Sequence, residues 1–177
     1  MVSLNVLFSF FLVLFAVIGA MRGWAKELLV TASLVLGLFL LQILDRHVGV
    51  YRTALAAQEP TSQFMIQGGL MVLMAFFGYQ TPRLRALEAR VLRERFQDVV
   101  LGILMGALNG YLLFGSLWYF LDKMGYDQTA LVSLPADPVL LQRFQEIIEI
   151  LPPNILPIPH IYFAVGVVFV FIIVVFV

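Results

Sequence analysis

The chain contains no cysteine in 177 residues, which removes disulfide frameworks, thiolate metal sites, iron–sulfur clusters and cysteine nucleophiles together. Charge is nearly as scarce. Asp, Glu, Lys and Arg make up 12% of the residues, against roughly 25% in a soluble domain. The 11 basic and 11 acidic residues cancel, which fits neither a strongly basic nucleic-acid binder nor an acidic tail. Histidine occurs only at His47 and His160, and Ser9, Ser33 and Ser116 sit in no Gly-x-Ser-x-Gly elbow, so general-base and serine chemistry have little to work with. The expectation is a protein that is not an enzyme and holds no metal.

What is abundant is apolar: 62% of the residues are hydrophobic, and the mean hydropathy is +0.97. A transmembrane helix needs about 20 such residues in a row. Five stretches qualify: Ser3 to Met21, Leu28 to Leu44, Thr61 to Tyr79, Val99 to Leu121 and His160 to Val177. The first has no basic residue before it and is longer than a signal-peptide core, so it is expected to be a retained span. Thr61 or Ser62 is the expected N-cap of the third, and Pro82 follows its end. The fifth stops without a polar flank, which suggests a chain that continues or a terminus held by a partner. The predicted fold is all-α and polytopic, with about five spans and two amphipathic interfacial helices. Residues 1–121 form a four-helix membrane domain, 122–159 an extracytoplasmic cap, and 160–177 an additional C-terminal helix.

Assigning the connections to alternate sides of the membrane turns a zero net charge into an orientation. Arg22, Lys26, Arg83, Arg85, Arg90, Arg93 and Arg95 fall on one side, with Arg46, Arg52, Lys123 and Arg143 on the other. With the acidic residues included, the two sides carry +3 and −3. The positive-inside rule then puts the N-terminus outside and, with five spans, the C-terminus in the cytoplasm. Trp24, Tyr79, Trp118, Tyr119 and Tyr162 fall near span edges, where aromatic rings prefer to sit, and Tyr111 in mid-span is the exception.

Two connections have amphipathic patterns. Residues 83–98 space Leu84, Leu87, Val91 and Phe96 between arginines, which predicts a basic helix on the lipid surface, with Arg83, Arg85, Arg90, Arg93 and Arg95 toward the head groups. The interleaved Glu88, Glu94 and Asp98 and the lack of stacking aromatics argue against nucleic acid as its partner. In the outer connection, Asp137 is an expected N-cap and Pro138 an N1 residue. Leu140, Leu141, Phe144, Ile147, Ile148 and Leu151 then make one apolar face, suited to the bilayer interface or to a docking partner. The proline-rich run from Pro152 to Pro159 is expected to be extended and stiff.

Inside the spans the sequence offers amides and glycines. No Asp, Glu, Lys or Arg falls in the middle of a predicted span, which weighs against proton relays and voltage sensing. Asn109 at the centre of the fourth span and Gln67 in the third are expected to hydrogen-bond across helices, or to contact a solute. Gly102, Gly106 and Gly110 recur every fourth residue, a GxxxG pattern, and Gly19 and Gly23 do so at the end of the first span. Such stripes allow close helix packing, within the chain or between copies. The hexapeptide from Gly19 to Trp24 also resembles that from Gly106 to Tyr111, a short internal similarity of the kind that transporter repeats show. His160, at a helix mouth among aromatics, is either an interfacial polar residue or a ligand for a pigment or haem.

Gly19-Ala-Met-Arg22-Gly23-Trp24-Ala-Lys26-Glu27 after a first span, then Asp98-x-x-x-Gly102-x-x-x-Gly106-Ala-Leu-x-Gly110 and a closing Leu121-Asp122, resembles the colicin V production protein (CvpA) family. The resemblance runs from Leu4 to Lys123. It departs at Val99, where the family usually has arginine, and at Asn109, where a basic residue is common. It implies a small bacterial inner-membrane protein, generally of four spans, tied to toxin production, secretion and envelope homeostasis. The matching positions are Arg22, Gly23, Glu27, Asp98, Gly102, Gly106 and Gly110. The expected partners are membrane lipids and other membrane proteins or further copies of the chain, including the role of an accessory subunit in a larger respiratory or photosynthetic complex. The alternative expectation is a small-solute transporter or channel with its site near Asn109 and Gln67.

Overall fold

A computed structural model describes residues 4–80, 95–126 and 138–176. Among these there are eight helices: α1 (Leu4–Arg22), α2 (Trp24–His47), α3 (Gly49–Ala56), α4 (Pro60–Tyr79), α5 (Arg95–Met124), α6 (Pro138–Glu149), α7 (Pro152–Ile155) and α8 (His160–Phe176). Four of them, α1, α2, α4 and α5, are long and apolar enough to cross a membrane, so the protein is an all-α, multi-pass membrane protein. The fifth predicted span is α8, an apolar helix of 17 residues that is shorter than the other four.

The hydropathy-based bounds are too tight. Helices α2 and α5 have 24 and 30 residues because each continues past the apolar stretch into charged turns. At 1.5 Å per residue α5 is about 45 Å long, well beyond the hydrocarbon of a bilayer. Its first turn contains Arg95 to Asp98, which sequence reading placed in a separate surface helix. Arg83, Arg85, Arg90 and Arg93, like the Asp137 cap, lie outside the described residues. The N-cap of α4 is Glu59, with extended backbone, and Pro60 occupies N1, where its missing N–H costs nothing; the expected caps Thr61 and Ser62 are already helical.

Burial singles out α2 as the core helix. Half of its apolar stretch is covered by protein, against 11% for α1. Val30, Leu34, Leu38 and Leu41 of α2 meet Met71 and Ala75 of α4, Leu112, Leu113 and Phe120 of α5, and Ile161 of α8. Helix α1 packs mainly on α5, and α8 packs on α2. Phe39 meets Tyr162 with ring centres 6.0 Å apart, while Leu29 and Ile172 line the same crevice, so α8 runs antiparallel to α2.

The proline-rich connection is not the extended spacer that its composition suggests. Pro152 and Pro153 start the short helix α7, because a proline at N1 or N2 has no intrahelical N–H to lose. The segment also re-enters the bundle. The Tyr111 hydroxyl donates to the Ile150 carbonyl, about 20 Å back along α5 from its end. Pro152 packs so closely on Gly115 that a Cβ there would lie 2.6 Å from its Cδ. Gln42 Nε2 donates to the Leu156 carbonyl at 2.6 Å. Irregular backbone at membrane depth requires protein partners for its polar groups, and Tyr111 and Gln42 supply them. Tyr111 in mid-span is explained in the same way: it serves backbone, not the bilayer interface.

The cap helix α6 is partly used up within the chain. Phe144 is buried between Trp118 and Tyr126, at centroid distances of 5.2 and 5.4 Å, with Leu151 beside it. Val139, Leu140 and Ile150 remain exposed.

Candidate functional site

The site begins with the junction between α1 and α2, which turns on one residue. Gly23 has φ +84, a left-handed conformation that strains any residue with a Cβ, and so it ends α1 instead of extending the stripe begun at Gly19. As the N-cap of α2 it has no side chain to offer. Asp98, from the first turn of α5, takes that role: its Oδ1 accepts the Trp24 N–H at 3.2 Å. A Cβ on Gly23 would stand 2.7 Å from the same carboxylate. A negative charge at this position also complements the helix dipole of α2.

Close packing of α1 on α5 makes that contact reachable. Gly19 lies against the Gly102 carbonyl, and its added Cβ would be 2.9 Å from the Gly106 Cα. Gly106 abuts the Phe15 carbonyl, and Gly110 faces Leu12 and Phe15. The GxxxG stripe is therefore an intrachain seam, in which backbone meets backbone and dispersion replaces the missing hydrophobic drive. Phe11 and Phe114 stack at 3.7 Å farther along.

Beneath this junction, Glu27 is fully buried. Its Oε1 accepts from Arg22 Nη1 at 3.0 Å, and its Oε2 from Asn109 Nδ2 at 2.8 Å and the Tyr79 hydroxyl at 3.2 Å. Thr31 Oγ1 lies 2.7 Å from Asn109 Oδ1, and Asn109 also donates to the Glu27 carbonyl at 3.0 Å. The Arg22 guanidinium covers the Tyr79 ring at 4.3 Å. One carboxyl thus joins α1, α2, α4 and α5. The placement of Glu27 in a connection is corrected here: it is in the first turn of α2 and faces inward.

The internal similarity acquires a geometric meaning. The two hexapeptides cross at Gly19 and Gly106, and their fourth residues, Arg22 and Asn109, each hold one oxygen of Glu27. The likeness ends at the next position, since Gly23 is a turn and Gly110 is helical.

The other predicted positions lie elsewhere. Among the described residues Gln67 makes no hydrogen bond to another span. It lines a polar cleft with Asp45, Arg52, Gln63 and Lys123, about 20 Å along α5 from Asn109. It lies beside the Tyr51 hydroxyl, outside hydrogen-bonding geometry. His160 is exposed at the start of α8. Among the described residues no three His, Asp or Glu side chains come together. Sequence reading missed Thr31 and assigned Tyr79 to the interface only. The available signal was the i, i+4 spacing of Glu27 and Thr31, which places both on one face of α2.

Chemically, this is a lock: donors and acceptors are matched, with one cation against one carboxylate. Comparison with family models, with curated proteins and with solved structures finds no match to this chain.

Proposed function

We propose that this chain is a non-catalytic protein of the bacterial inner membrane that acts by assembling with other membrane proteins, in the secretion and envelope role that resemblance to the CvpA family implies. The observation that carries this reading is the convergence of Arg22, Gly23, Glu27, Asp98 and the Gly102, Gly106 and Gly110 stripe on one junction. Residues quoted for the resemblance thus form a single structural unit, and its polar groups are spent on one another. The outward faces of the helices carry large apolar side chains: Phe10 and Val13 on α1, Phe76 and Phe77 on α4, and Phe163 and Val167 on α8. Such faces suit lipid and partner helices. The charge partition supports an N-terminus outside and a C-terminus in the cytoplasm.

Purification of the full chain in mild detergent is expected to retain a stoichiometric membrane partner or a homo-oligomer. A monodisperse monomer without partners would overturn the reading, and a bound chromophore would favour the accessory-subunit form of it. The transporter reading draws on the polar cleft around Gln67. It requires solute flux in liposomes that Gln67→Leu reduces.

A further inference from the structure

The cleft at the Lys123 end has a composition unlike that of the other crevices. It encloses about 160 Å³ where α2 and α5 end and α4 begins, with α3 across it. Arg52 and Lys123 supply two cations, Asp45 one carboxylate, and Gln63 and Gln67 two amides, over a floor that includes Phe64 and Phe120. Among the described residues neither Arg52 nor Asp45 forms an ion pair, and Lys123 rests on the Tyr119 ring at 4.7 Å. Asp45 and Lys123 stand in the last turns of spanning helices, at the level of lipid head groups, and α3 brings Arg52 to the same cleft.

A second crevice adjoins the first. It encloses about 190 Å³ between α1, α4 and α5, and Phe8, Phe11, Phe114, Leu117 and Trp118 line it. Phe64 belongs to the walls of both. A polar cleft and an apolar crevice that share one wall match a molecule with a charged head and an apolar tail.

We propose that these two spaces form one lipid site, taking a phospholipid whose head group carries a phosphate and an amine. Arg52 and Lys123 hold the phosphate, as guanidinium and ammonium groups do through charge-assisted hydrogen bonds. Asp45 accepts from the amine. The acyl chain passes Phe64 into the apolar crevice.

The test uses the purified full chain in detergent, titrated with short-chain phosphatidylethanolamine, phosphatidylglycerol and water-soluble glycerophosphoethanolamine. Trp118 lines the tail crevice, so its emission reports binding in a Trp24→Phe background, and native mass spectrometry counts the lipids retained. The expected result is saturable binding of one phosphatidylethanolamine, weakened at least tenfold by the Arg52→Gln, Lys123→Gln double variant. Asp45→Asn should abolish the preference over phosphatidylglycerol while leaving phosphatidylglycerol binding intact, which separates loss of the amine contact from misfolding. Unchanged affinity in the double variant would overturn the proposal. Equal affinity for glycerophosphoethanolamine and the lipid would also overturn it, by assigning the cleft to a soluble phosphate ester.

Discussion

At the Arg22 end of the bundle, Glu27 receives hydrogen bonds from side chains on three other helices, and Asp98 caps α2. At the Lys123 end, Asp45, Arg52 and Lys123 share a cleft without pairing with one another. The two ends have similar residue types and opposite uses for them. A carboxyl removed from water must be matched donor for donor, so the first end is closed. Groups that keep access to water or head groups need no such match, and remain available to a ligand.

This contrast can be broken most severely at Glu27. Glu27→Ala leaves Arg22 and Asn109 without their shared acceptor, and loss of about 3 kcal/mol is expected. Detergent unfolding monitored by circular dichroism should show a much lower midpoint. If the midpoint is unchanged, the lock is not what holds the four helices. Gly106→Val attacks the same end through packing, because its side chain would meet the Phe15 carbonyl. The expected cost is about 2 kcal/mol, accompanied by loss of proximity between α1 and α5 in cross-linking of introduced cysteine pairs.

Smaller effects belong to the opposite end. Burial, with the Asp122 carboxylate adding to it against the hydrogen bond from Trp118, holds the Tyr126 phenol above its ordinary range. A raised value in the folded state means that this contribution is present below the unfolded value of about 10 and is lost as the pH rises beyond it. Stability in detergent unfolding should therefore fall as the pH rises above about 10, and Tyr126→Phe should lessen that fall. The smallest change is expected for Arg52→Gln, which should leave stability within about 0.5 kcal/mol of the parent. A loss as large as that of Glu27→Ala would mean that the two ends do not differ.

Much of the closed end was legible in the sequence through spacing. Gly102, Gly106 and Gly110 marked a close-packed face, and Asn109 beside them marked a polar contact. The burial of Glu27 was not, because hydropathy cuts a span at its first charge and so places a carboxyl of the first helical turn in the loop. Its partner Asn109 is 82 residues away, and nothing local announces it. The re-entrant turn failed for a different reason. Pro152 and Pro153 suit both an extended spacer and the start of a helix, and only the carbonyl partners offered by Tyr111 and Gln42 choose between the two. Gln67 had the composition of a cross-helix contact, but its neighbours on α4, Gln63 and Phe64, face a cleft that forms only when α3 folds back over it.

The 82-residue separation between Glu27 and Asn109 also sets a schedule. A ribosome adds about 5 to 20 residues per second. When Glu27 emerges, Arg22, five residues before it, is the one member of the lock already made. The carboxyl has its Tyr79 donor only 52 residues later, and its Asn109 donor only when α5 has been synthesised. Helices α1 and α2 are therefore made as an unfinished pair, and Asn109 is the last donor of the lock to be synthesised.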